Sequence, residues 1–394
     1  MHLLMIAPQP FFEARGTPFS EYHRIRALLE LGHTVDLVTY PFGHDVDLPG
    51  LRIFRCARPP FVQSVRVGPS IAKVPLDLSL TFTALRRVVA DRYDALHSHE
   101  EGGVIGVALS WLTGKPHLYD MHSSLPQQLT NFAFTRSRLV TAIVAWGERL
   151  MIRRSRAIIV ICPQLAEVVR EVDPAAQPVL IENSPGSGDA AVPGSGAGVR
   201  REFGLGPDTP LVVYTGTFEA YQGLDLLFEA FAHVKRQNGA ARLLLAGGQP
   251  GQIEDARRGT ARLGIDDVTV FAGHRKAEEI PAFLDAATAL VSPRSTGINT
   301  PLKIYQYLRS GRPIVATRLL THTQVLDDDV AILAEATPAA FGDGILRALA
   351  DREVAAAIGR RARQLAETKY SYEAYLEKTR LVYAQMGAEA GAAS

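Results

Sequence analysis

Cysteine is nearly absent from this 394-residue chain, which has only Cys56 and Cys162. A disulfide framework is therefore excluded as the organising device, and a reducing compartment is favoured. Charge of one sign is lacking as well: 42 Lys and Arg stand against 41 Asp and Glu, leaving no global field to steer nucleic acid. No uninterrupted apolar run reaches the roughly 18 residues of a membrane-spanning helix. The opening MHLLMIAP is too short and too soon broken for a secretory leader. Internal repeats of solenoid length are missing. The expectation is a cytoplasmic protein that needs no nucleic acid, with a peripheral place on the inner face of a membrane as an option. What the chain does have is apolar content of 47%, enough to fill the cores of two domains of roughly 150–200 residues each.

Residues 289–317, ALVSPRSTGINTPLKIYQYLRSGRPIVAT, organise the rest. Ala289, Leu290 and Val291 make a short apolar run stopped by Pro293, as in a buried strand. After a loop with Gly297, Thr300 stands as a helix N-cap and Pro301 as the first helical residue. Ile304, Tyr305 and Leu308 form the buried stripe, Gly311 ends the helix, and residues 313–317 are the next strand. A loop entering a helix at the end of a parallel strand suits a phosphate, because free N–H groups and the helix dipole point at it. Lys303 and Gln306 share one helical face and could reach the same ligand. The pattern also fits one more ordinary βαβ unit.

Lys303, Tyr307, Gly311 and Pro313 in this stretch resemble the lysine-x-x-glutamate-tyrosine…glycine-x-proline signature of the family-4 retaining glycosyltransferases. The resemblance runs nearly the whole chain. It implies an α/β protein of two Rossmann-like domains facing across a cleft, the GT-B fold. It also implies transfer of a sugar from a nucleotide diphosphate sugar to a glycan, lipid or small-molecule acceptor, with retention at the anomeric carbon and with neither metal nor cofactor. The corresponding boundaries are an acceptor domain over residues 1–183, a linker over 184–198 and a nucleotide-sugar domain over 199–369. A terminal helix and tail over 370–394 would return to the first domain. The departures are specific. The family carries two glutamates where this chain has Ile298 and Gln306, and an arginine and a lysine on the diphosphate where it has Thr217 and Gln222. A rebuilt enzyme, a non-catalytic sugar-nucleotide or membrane-surface binding relative, and a sugar-nucleotide 2-epimerase on the same fold all remain open.

The first half opens with strand, loop, helix and strand over residues 2–40, with Thr17 as N-cap and Pro18 as the first helical residue. The resemblance implies an acceptor-side and donor-phosphate glycine loop here, which makes Gly16 and Thr17 candidates, although a structural turn fits the residues as well. Residues 48–76 hold Arg52, Arg55, Arg58, Arg66 and Lys73 and no acid, which reads as a basic loop that an anionic surface would attract. His97 and His99 alternate by two and point to one side of a strand. No second spaced His/Cys pair accompanies them, so no metal is expected. His122 ends a strand, where α/β proteins place chemistry. The resemblance implies that it hydrogen-bonds the donor sugar, with His99 as the second choice. Residues 138–156 join an apolar run to Arg149, Arg153, Arg154 and Arg156, suiting either an interfacial helix or one packed on its own sheet.

Residues 183–198, NSPGSGDAAVPGSGAG, read as a linker. Beyond it, strands ending in glycine loops place Gly216, Gly247 and Gly273 on one rim of a parallel sheet. The resemblance puts the nucleobase near His274 and Arg275. The donor set then comprises Gly216, Thr217, Gln222, His274, Arg275, Arg294, Asn299, Thr300, Leu302 and Gln306, with Lys303 as the cation acting on the leaving group.

Overall fold

The computed structural model describes the chain except residues 13–15, 66–67, 132–133, 183–191 and 388–394, and the side chains at 16, 130 and 131. It divides into two units, Met1–Asn183 with Tyr375–Ser394, and Ser184–Ala374.

The first unit begins β1 (His2–Ala7), α1 (Gly16–Glu30), β2 (Thr34–Thr39), β3 (Leu51–Arg55) and α2 (Lys73–Ala90). It continues through β4 (Ala95–His99), α3 (Gly102–Thr113), β5 (His117–Met121), α4 (Leu125–Asn131) and α5 (Arg138–Arg154). The elements β6 (Ala157–Val160), α6 (Pro163–Val172) and β7 (Val179–Leu180) close the sheet. All seven strands are parallel, in the order β3-β2-β1-β4-β5-β6-β7. Leu3 to Ala7 on β1 are fully buried, as expected for a central strand covered by helices on both faces. The strand order reverses between β1 and β4, where doubly wound sheets bind ligands.

The second unit runs α7 (Gly196–Glu202), β8 (Leu211–Thr215), α8 (Leu224–Gln237), β9 (Arg242–Ala246) and α9 (Pro250–Arg262). Then come β10 (Thr269–Gly273), α10 (Ile280–Ala286), β11 (Ala289–Ser292), α11 (Lys303–Ser310) and β12 (Ile314–Thr317). It ends with α12 (Leu320–Thr323), β13 (Ile332–Ala334), α13 (Pro338–Ala350) and α14 (Arg352–Thr368). Its parallel sheet has the order β10-β9-β8-β11-β12-β13, so the reversal lies between β8 and β11. Alternate residues of β8 feed two cores. Val212 and Tyr214 pack with Phe228 and Phe341 on one face, and Leu211 and Val213 with Ile304 and Leu308 on the other.

The last helix, α15 (Tyr372–Gly387), lies in the first unit from Tyr375 onward. There Lys378 donates to Glu182 at 2.5 Å, and Arg24 Nη1 donates to Thr379 Oγ1 at 3.2 Å. Among the described residues, no helix is long and apolar enough to cross a membrane.

Four local expectations need correction. Helix α1 already includes Gly16, so Thr17 sits inside the first turn and is not its cap. Helix α11 starts at Lys303 after Leu302, and Thr300 Oγ1 caps nothing. The end of the expected linker is helical, since α7 begins at Gly196, where a Cβ would lie 2.3 Å from the Ala286 backbone nitrogen. Linker residues 183–191 lie outside the described residues. Finally, the basic segment contains β3 and is largely neutralised. Arg52 makes two 2.6 Å bonds to Asp36, Arg55 pairs with Asp45, and Lys73 with Glu101. Arg66 is outside the described residues.

Candidate active site

In the second unit the glycine loops meet at the sheet reversal. A Cβ on Gly223 would lie 2.0 Å from the Pro293 carbonyl oxygen, and one on Gly247 would lie 1.9 Å from that of Gly216. Both glycines have positive φ, 74° and 135°. Only glycine lets these backbones approach so closely. Lys303 leads helix α11 into this junction. Its Nζ stands 3.8 Å above the Tyr214 ring centroid and 3.3 Å from Gln222 Oε1, and a Cβ on Gly216 would come within 2.8 Å of it. The side chain is buried although it stands at the first residue of the helix. Burial first, then the Arg294 charge, push its pKa well below the ordinary lysine value. Among the described residues no carboxylate pairs with it.

The surroundings of Lys303 are held rigidly. Tyr214 donates its hydroxyl to the Thr217 carbonyl at 2.6 Å, and the Tyr307 hydroxyl accepts from the Thr215 N–H at 3.0 Å. Arg294 donates to the Asn299 carbonyl at 2.7 Å, with its guanidinium 5.0 Å from the Tyr221 ring. His322, which the sequence reading did not single out, is buried between Ser292 Oγ at 2.8 Å and Thr317 Oγ1 at 3.0 Å. Burial lowers its pKa to about 3, so the imidazole stays neutral and braces the loop after β11.

Of the expected donor residues, Gly216, Gln222 and Lys303 meet at this junction, Arg294 holds the Asn299 carbonyl beside Tyr221, and Thr300 and Leu302 stand in the chain just before Lys303. Thr217 is exposed at its edge, and Gln306 lies half-buried one turn into α11. Arg275 belongs elsewhere. It pairs with Glu202 at 2.6 Å, and its guanidinium lies 5.5 Å from the Phe203 ring and 5.3 Å from that of Phe283. That arrangement ties α7 to α10 and leaves Arg275 unsuited as a reserve cation for a phosphate. His274 beside it is exposed.

The first unit carries a separate buried cluster at the ends of β4 and β5. Asp120 accepts from Arg24 Nε at 3.0 Å and lies 3.4 Å from His97 Nε2 and 3.3 Å from His122 Nε2. Complete burial alone would raise the Asp120 pKa, but Arg24 and His122 hold it well below the usual carboxylate range. His122 Nε2 and His99 Nδ1 are 3.1 Å apart, and the Tyr383 hydroxyl of α15 lies 2.5 Å from His97 Nδ1. His97 and His99 stack with centroids 4.5 Å apart, on one side of the strand as their spacing implies. Burial, then His97, pushes His99 well below the ordinary histidine value. Ligand atoms of His97, His99 and Asp120 fall within 4.8 Å of one another. A metal ion there would meet the Arg24 guanidinium already bound to Asp120, and like charges so close repel.

Arg24 and Asp120 were missed by the sequence reading, although Asp120 stands on β5 only two residues before His122. Glu21 is buried near Glu100 and Asp120, and burial followed by those charges raises its pKa strongly. Thr17 is half-buried in the first turn of α1, four residues before Glu21 on the same helix.

Two family models match the chain. Residues 22–183 match the glycosyl transferase 4-like domain, and residues 209–351 match glycosyl transferases group 1. The chain belongs to the group 1 glycosyltransferases. It is 26% identical to alpha-D-kanosaminyltransferase of Streptomyces kanamyceticus, over 77% of this chain and 79% of that one. It is likewise 26% identical to D-inositol 3-phosphate glycosyltransferase of Acidothermus cellulolyticus, over 82% and 75%. Sucrose-phosphate synthase from Thermosynechococcus elongatus shares the fold over the full length of both chains, with a TM-score of 0.80 at 22% identity. Anabaena HepE in complex with UDP shares it over 98% of this chain and all of that one, with a TM-score of 0.74 at 16% identity. The fold of this glycosyltransferase is therefore GT-B, built from two parallel Rossmann-like sheets.

Proposed function

We propose that this glycosyltransferase moves a sugar from a nucleotide diphosphate sugar to a hydroxyl acceptor with retention at the anomeric carbon, and that Lys303 stabilises the departing diphosphate. The observation that carries the reading is the position of Lys303 Nζ, beside Gly216 and 3.3 Å from Gln222. Here two basic residues of the family are replaced by Thr217 and Gln222. A buried ammonium without a carboxylate partner is a site for an anion, because the ligand restores what burial removed. As the bond from C1 to the β-phosphate oxygen breaks, negative charge grows on the diphosphate, and a preorganised cation stabilises it most at that moment. The acceptor oxygen bonds to C1, and its proton leaves with the diphosphate or with solvent. The Gly216 and Thr217 backbone would cradle the phosphates, Arg294 would add a second positive charge, and His122, with His99 behind it, would hydrogen-bond the transferred sugar.

The test is a thermal-shift panel of uridine, guanosine and adenosine diphosphate sugars, followed by assay of free nucleoside diphosphate. A donor at about 100 times its dissociation constant adds roughly 2.7 kcal/mol, readily seen in a melt. The reading expects slow release of nucleoside diphosphate even without acceptor. Binding with no release from any donor would identify a non-catalytic relative, which the absent glutamates at Ile298 and Gln306 make the second reading.

A further inference from the structure

Three helices on one side of the first sheet carry an apolar surface that nothing in the described fold covers. Helix α2 packs beside α3, and α3 beside α5. The second contact is close, since a Cβ on Gly103 would overlap the Met151 side chain. On α2 the outward residues Val74, Leu78, Phe82, Leu85 and Val89 recur at helical spacing, and Val89 is 79% exposed. Helix α3 adds Val104, Trp111 and Leu112, and α5 adds Leu139, Ile143 and Trp146. Trp111 is 88% exposed and Trp146 62% exposed, and they are the only tryptophans in the chain. A soluble monomer rarely leaves so continuous an apolar face in water.

The charges on these helices have one sign. Arg86 is exposed on α2, and Arg138, Arg149, Arg153 and Arg154 are exposed on α5. Their two carboxylates, Asp77 and Glu148, are turned inward. Asp77 accepts from Tyr40, and Glu148 accepts from Ser124 and the Leu125 N–H. Apolar side chains with two indoles, rimmed by arginines and free of exposed acids, match the interfacial layer of an anionic bilayer. We propose that the face formed by α2, α3 and α5 docks this glycosyltransferase on an anionic membrane surface. This assignment stands independently of the donor reading and replaces the basic segment at residues 52–73 as the contact, since Arg52, Arg55 and Lys73 there are paired with carboxylates of the protein.

The full-length protein is mixed with vesicles of phosphatidylcholine containing 30% phosphatidylglycerol (about a third anionic, enough to attract a basic rim) and with pure phosphatidylcholine. Tryptophan emission reports on this face alone. Docking predicts co-flotation with the anionic vesicles, a blue shift, and quenching by lipids brominated in the upper acyl chain. Neutralising Arg149, Arg153 and Arg154 together should weaken partitioning by at least about tenfold, since each basic group near an anionic surface is worth roughly fivefold. Trp111→Ala with Trp146→Ala should also weaken it by about tenfold or more while leaving the melt unchanged. Absence of flotation at low salt would overturn the proposal, as would flotation without quenching. A dimer in sedimentation, with emission already blue-shifted before lipid is added, would assign the face to a second copy and overturn it equally.

Discussion

Replacing Lys303 by Met should raise stability and abolish most activity, and the opposed signs make the test severe. Lys303 is 9% exposed, and its Nζ has the Tyr214 ring on one side and the Gln222 amide oxygen on another. Burial and then Arg294 hold its pKa well below the ordinary lysine value. An unfolded lysine keeps its proton up to about pH 10. Between the folded and unfolded values the unfolded chain therefore binds more protons, and stability climbs as pH rises through that window. Met has nearly the same length and no charge to desolvate. Replacing a buried amine that is poorly hydrogen-bonded by an apolar group of similar length removes its desolvation cost, about 1–3 kcal/mol. For a unit of this size each kcal/mol moves the melt by roughly 2–4 °C. Transfer rate should fall by about 10²–10³, the scale for removing one preorganised charge stabiliser. Calorimetry of nucleoside diphosphate binding in buffers of different ionisation enthalpy should show proton uptake in the parent that the Met variant lacks. A variant that melts lower than the parent, or transfers within a few-fold of it, would refute the reasoning.

Three further outcomes follow from the same geometry. Asp120→Asn leaves the Arg24 guanidinium buried without its counter-charge, and urea unfolding should show a loss of about 3–5 kcal/mol. Gly247→Ala combines a φ of 135° with a Cβ 1.9 Å from the Gly216 carbonyl oxygen. It should destabilise by about 1–3 kcal/mol and, by displacing Gly216, weaken nucleotide binding in a thermal-shift titration. His117 and His322 are lowered by burial to about 3, while an unfolded histidine titrates near 6.5. Their contribution is complete above about pH 6.5 and is lost as pH falls toward 3, at up to roughly 1.4 kcal/mol per pH unit for each. His322→Gln should flatten that slope in urea melts taken between pH 4 and 8.

The fold was legible because parallel strands buried on both faces spell themselves out as short apolar runs. Residues 2–7, 157–160 and 242–246 could hardly be anything else. Strand β3 was hidden because its sequence, LRIFR, carries two arginines. The sheet register sets Asp36 opposite Arg52, so the charge that made the segment look like a solvated loop is half of a cross-strand pair. The apolar face of α2, α3 and α5 was only partly readable. Residues 138–154 showed an apolar run with a basic end, but α3 is apolar nearly all round. Which of its sides faces water depends on Gly103 and Gly106 bringing the other side against Met151 and His117.

The site was harder to read, because sequence offsets say which residue a motif expects, whereas a ligand responds only to where charge lies in space. Reading forward from Gly216, the positions that are basic in the resembled family hold Thr217 and Gln222, so on the proposed donor reading two partners of the diphosphate are missing from that loop. The topology changes that conclusion. Strand β8 pairs with β11, so the loop after β8 and the element after β11 converge although Gln222 and Lys303 stand 81 residues apart in sequence. A cation lost from one can be supplied by the other, provided the incoming side chain finds room. Glycine at 216 makes that room, since a Cβ there would lie 2.8 Å from the Lys303 ammonium. Gly216→Ala is therefore the complementary test. It leaves Lys303 in the sequence but crowds its ammonium, and it should impair nucleotide binding nearly as much as Lys303→Met does, without the gain in stability.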